Sequence, residues 1–79
     1  MNVSEESERL LQLIEQHAGQ QTSDLTVASQ MLSDAGISKP DRLMSAHKLK
    51  AFVFSIAKKI GPVATSLLTT YIENKLGLK

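Results

Sequence analysis

Four glycines cut this chain into four stretches, 1–18, 20–35, 37–60 and 62–76, and each stretch has apolar residues recurring at intervals of three and four. That is the spacing of an amphipathic α-helix, and no stretch alternates with the two-residue period of a strand. Gly19, Gly36, Gly61 and Gly77 all stand where a helix would stop. With 79 residues the chain has enough for one hydrophobic core and too few for two. The expected fold is therefore all-α: one domain, 1–79, forming a compact bundle of four short helices, antiparallel because the connections are short.

The first helix is expected over about Val3–Ala18, with Asn2 and Glu5 placed as a capping box and Glu5, Glu6 and Glu8 favoured by the helix dipole. Its buried stripe is Leu10, Leu11, Ile14 and Ala18, and Gly19 ends it. After a polar loop at Gln20-Gln21-Thr22, Thr22 or Ser23 caps a second helix reaching Ala35. Leu25, Ala28, Met31, Leu32 and Ala35 form its apolar face. Gly36 followed by Ile37 reads as a Schellman stop, with Ile37 folding back on Leu32.

Ser38-Lys39-Pro40-Asp41 begins the third segment, with Ser38 as cap and Pro40 suited to a first turn. At 100° per residue from Lys39, the residues Leu49, Phe52, Val53, Ile56 and Ile60 fall within about 220–320°, a core-facing stripe. Lys39, His47, Lys48, Lys50, Lys58 and Lys59 lie opposite, with Phe54 at about 60° among them. Leu43, Met44 and Ala51 also fall outside the stripe. Arg42 and Ser45 fall on the core side, which points to a break near 45–47 and a bundle of five helices; one helix of about 21 residues is the alternative. Pro62 opens the last helix, whose stripe is Val63, Ala64, Leu67, Leu68, Tyr71, Ile72 and Leu76. Truncating Leu67 or Ile56 to Ala is then expected to cost about 2–5 kcal/mol.

Phe54 has two readings. It fills a second core face of a central helix covered on both sides, or it is an apolar anchor inside a basic rim, a pattern suited to a partner. The first is the more economical, because a phenyl ring left in water forgoes about 1.5–3 kcal/mol.

Charge is divided along the chain. Residues 1–34 carry six acids against Arg9 alone, a net −5, whereas residues 35–79 carry eight bases against Asp41 and Glu73, a net +6. A basic surface of this kind meets phosphate, an acidic protein face or the acidic half of another copy. The absence of cysteine excludes disulfides and Cys-ligated metals. No phosphate-cradling glycine loop, Ser–His–Asp arrangement or convergent ligand set is present, so neither an enzyme nor a cofactor, metal or small-molecule substrate is expected. His17, in the last turn of the first helix, has a structural role where a cation suits the dipole. Met1-Asn2-Val3-Ser4-Glu5-Glu6 has no signal-peptide character, and the longest uncharged run, Ile60–Ile72, is shorter than the roughly 20 residues of a membrane span. A cytoplasmic protein is the expectation.

Residues 24–50 resemble a helix-turn-helix DNA-binding motif: a helix, the turn Ala35-Gly36-Ile37-Ser38, then a basic helix. Met31 and Ala35 fit its buried positions. The second helix departs from the motif, since the positions that should be apolar are Arg42 and Ser45, and Leu32 stands where a small residue is preferred. The resemblance implies Lys39, Arg42 and His47 at the groove and backbone of DNA.

Two functions are compatible with these features. The first is a non-catalytic regulator, inhibitor or adaptor that binds a protein partner or another copy of itself through Lys39, Arg42, His47, Lys48, Lys50, Phe54, Lys58 and Lys59. The alternative is a DNA-binding regulator using the same cations, although two arginines leave little for base readout. Binding at a membrane surface is the weakest, without tryptophan and with a neutral fourth helix.

Overall fold

The computed structural model describes residues 5–76. Four helices succeed one another: α1 (Glu5–His17), α2 (Thr22–Ser33), α3 (Lys39–Ser55) and α4 (Ala57–Lys75), with a 3₁₀ turn at Gly19–Gln21 between the first two. No strand occurs among the described residues. α1 and α3 each pack against both α2 and α4. The neighbours of α3 run antiparallel to it: Asp24 meets Lys48 while Leu32 meets Arg42, and Glu73 meets Lys50 while Lys75 meets Arg42.

The core joins Leu10 and Ile14 of α1, Leu25, Ala28 and Leu32 of α2, Ala46, Leu49, Phe52 and Val53 of α3, Ile56, and Leu68 and Ile72 of α4. Apart from Ala46 these residues fall on the stripes expected from periodicity, with Ile60, Tyr71 and Leu76 packed at the margin, whereas Ala35, expected on the apolar face of α2, lies beyond its end and is exposed. α1 ends where expected, with Gly19 in the left-handed conformation (φ 59°). Asn2 and Gly77 lie outside the described residues.

Several local expectations are corrected. α2 stops at Ser33 rather than Ala35, and Gly36 is not left-handed. Asp34 ends the helix instead: its backbone turns extended (φ −96°, ψ 111°), its carboxylate accepts the Gly36 N–H at 2.8 Å, and its carbonyl accepts the Ile37 N–H at 3.2 Å. An Asx turn thus takes the place of the expected Schellman motif. Neither Thr22 nor Ser38 uses its hydroxyl as a cap; that of Thr22 donates backward to the Gly19 carbonyl at 2.7 Å.

The third segment does not break at 45–47. Arg42 and Ser45 do face inward, as the angles require, and each finds a partner there. Ser45 is small enough to be buried, its hydroxyl directed at the Met31 sulfur at 3.8 Å. Arg42 reaches backbone carbonyls. With both satisfied, an unbroken α3 carries no stranded polar group on those two side chains apart from the Arg42 Nε. The interruption comes instead at Ile56 (φ −109°, ψ 13°). A straight helix of 17 residues rises about 25 Å, already the width of a molecule measuring 33 × 28 × 26 Å. Continuing it would carry Ile56 and Ile60 away from the core, so the chain turns. One helical turn comes next, and at Gly61 (φ 88°, ψ 164°) the backbone kinks before Pro62 restarts the helix.

Two residues assigned to the core stripe of α4 are outside it: Val63 and Leu67 are 72% and 51% exposed. The kink at Gly61 sets the rotation of the remainder of α4, and Leu68 and Ile72 take the inward positions.

Candidate functional site

α3 has two apolar faces. The inner one, built on Leu49, Phe52 and Val53, belongs to the core. On the outer one, Leu43, Met44, His47, Ala51 and Phe54 fall within about 100° of helix circumference and span about 16 Å of its length. All five are exposed, Met44 by 62% and Phe54 by 59%. Phe54 is therefore not part of a second core face: nothing in the described chain covers the outer side of α3, and the economical reading of this ring is overturned.

The stripe is grooved rather than flat. Leu43, Met44, His47, Lys48 and Ala51 line one open depression of about 470 Å³. A second, of about 610 Å³, lies between Phe54 and α4 and is lined by Ala57, Lys58, Pro62, Thr65, Ser66 and Thr69. Thr65 and Thr69 direct their hydroxyls to the carbonyls of Gly61 and Thr65 at 2.8 and 3.0 Å. Both hydroxyl protons are thus already engaged within α4.

The cations expected to form one basic face divide into three groups. Lys48 and Lys50 flank the stripe on opposite sides, each in an ion pair: Lys48 with Asp24 at 3.4 Å and Lys50 with Glu73 at 3.0 Å. Both pairs are substantially exposed, so they hold side-chain direction more than they stabilise the fold. Lys39, Lys58 and Lys59 are exposed and form no ion pair among the described residues. Lys39 sits at the start of α3, some distance along the helix from the other two, which come just after its end.

Arg42 leaves the group altogether. Its guanidinium points inward, where Nη2 donates to the Leu32 carbonyl at 3.4 Å and to the Lys75 carbonyl. One side chain thereby ties the C-terminal ends of α2 and α4, where carbonyls lack helical partners and positive charge is favoured. Its Nε is buried without a hydrogen bond among the described residues. Arg42 is a structural tie and offers no guanidinium fork to a ligand. Lys75 itself places its ammonium 5.7 Å from the centre of the Tyr71 ring.

Of this surface the sequence names the flanking Lys48 and Lys50, His47 in the middle and Phe54 at the end, and misses Leu43, Met44 and Ala51. Leu43, Met44 and Ala51 are recognisable as lying outside the core stripe; the signal is there in their angles. Among the described residues no three His, Asp or Glu side chains converge as metal ligands, and no helix is long and apolar enough to cross a membrane. Comparison with protein-family models, curated proteins and solved structures finds no match to this chain.

Proposed function

We propose that this protein acts without catalysis, as a small regulator, inhibitor or adaptor that docks another protein on the outer face of α3. The observation that carries the reading is the exposed run of Leu43, Met44 and Phe54 on a helix whose opposite face is already the core. Large apolar side chains collected on one surface and rimmed by charge are typical of interaction sites. Lys48 and Lys50 supply that rim, while Phe54 and Met44 are the side chains able to enter a partner's pocket. The same face would serve an encounter with a second copy.

DNA binding has less to draw on. Arg42 is engaged with carbonyls, Lys48 and Lys50 are paired with acids, and the outer centre of α3 is apolar where a recognition helix would present polar groups to base edges.

A photo-crosslinker placed at Met44 in the producing cell is expected to give a discrete protein adduct, self-adducts included, whereas one at exposed Glu15 gives none. Phe54→Ser should remove the adduct without altering the circular-dichroism melt. Adducts to nucleic acid alone, or none from Met44, would overturn the reading.

A further inference from the structure

The charge around the docking face says what kind of protein it receives. Neither the depression under Met44 nor the one beside Phe54 is lined by a carboxylate; the ionisable residues there are His47, Lys48 and Lys58. Asp24 stands in the neighbouring cleft behind Lys48, already held by that lysine. Lys58, beside Phe54, has no acidic partner among the described residues. The stripe itself is about three helical turns long, the length an amphipathic helix needs to place anchors at i, i+4 and i+7.

Resting on the docking role just described, we propose that the occupant is an amphipathic helix of a different protein, with an apolar stripe bordered by Asp or Glu. Its apolar side chains enter the two depressions, and its acids reach Lys58, the lining lysine that no carboxylate among the described residues holds. A second copy of this chain fits less well. Laid parallel about a two-fold axis, the stripes would oppose Lys58 to its own copy. Laid antiparallel, they would bring Lys58 to the first turn of the other α3, where Lys39 and the positive helix pole lie and Asp41 offsets only one charge. The acidic α1 is no substitute occupant, because its apolar residues are already in the core.

The test uses two labelled 15-residue synthetic helices with the same leucine stripe, one bordered by Glu and the other by Lys, titrated with the full chain by fluorescence anisotropy. The Glu peptide is expected to bind at least tenfold more tightly at low salt, with the preference shrinking at 0.3 M salt as screening grows. Lys58→Glu should cut the preference at least threefold, and Phe54→Ser should weaken both peptides while leaving the thermal melt in place. Equal binding of the two peptides, binding of neither, or binding indifferent to Phe54→Ser overturns the inference. So does a dimer in light scattering that Phe54→Ser dissolves, or a preference for phosphatidylserine vesicles over the Glu peptide. Equal peptide binding or a Phe54-dependent dimer would leave the protein-docking role standing; adducts to nucleic acid alone in the cross-linking experiment would remove both.

Discussion

α1 and α3 are both amphipathic, and they dispose of their apolar residues differently. α1 has one apolar stripe, with Leu10 and Ile14 wholly buried and Leu11 and Leu13 packed beside them, and its remaining surface is mostly Glu and Gln. α3 buries one stripe and carries a second in water. The fold accounts for every large apolar side chain of α1. It leaves Leu43, Met44 and Phe54 largely in water, 43%, 62% and 59% exposed, where they cost solubility. α3 is the helix that is apolar on both sides, and the proposed docking role rests on that contrast.

The contrast can be broken most directly at the two inner stripes. Leu49→Ala in α3 and Ile14→Ala in α1 should each lower unfolding free energy by about 2–5 kcal/mol in urea titration, a large part of what a domain of this size holds. A much smaller loss at Leu49 would mean that α3 is not the central helix. Gly61→Ala is expected to cost about 1–3 kcal/mol: its φ of 88° with ψ of 164° is a conformation left almost wholly to glycine, even though a methyl group would meet nothing within 4 Å. Arg42→Met should cost a similar amount, about 1–3 kcal/mol, by orphaning the carbonyls of Leu32 and Lys75. Arg42→Lys should recover only part of it, since an ammonium lacks the spread of the guanidinium fork. At the outer stripe, Phe54→Ser and Met44→Ser should each change stability by less than about 0.5 kcal/mol. A loss above about 2 kcal/mol at Phe54, the size of a core truncation, would return that ring to the core and erase the difference between the helices. Leu67→Ala belongs with these small effects, since half of that side chain is already in water.

The helices and the core residues of α1, α2 and the middle of α3 are legible in the sequence because a 3.6-residue period reports directly which side chains share a face. What it does not report is how many faces of a helix the rest of the chain will cover. Phe54 and Leu49 are equally apolar and lie on different sides of α3, and the placement of α2 and α4 decides that only the Leu49 side is covered. Leu67 is misplaced for a related reason: a period gives relative angles within a helix, and the Gly61 kink resets the zero between one helix and the next. The expected break near Ser45 fails differently. Polar residues on the inner side look like a violation of the pattern, whereas Ser45 and Arg42 answer partners contributed by residues 31, 32 and 75. The basic face is legible as a set of residues but not as an electrostatic object, since the Asp24 and Glu73 that pair with Lys48 and Lys50 lie more than twenty positions away.

Because a single guanidinium grips the far ends of two helices, the end of α4 and the loop after Ser33 share one fastening. A protease that trims back past Lys75 would not merely shorten α4. It would loosen a bend far upstream, and hydrogen exchange at Asp34–Ile37 would quicken in step with damage done at the other end of the polypeptide.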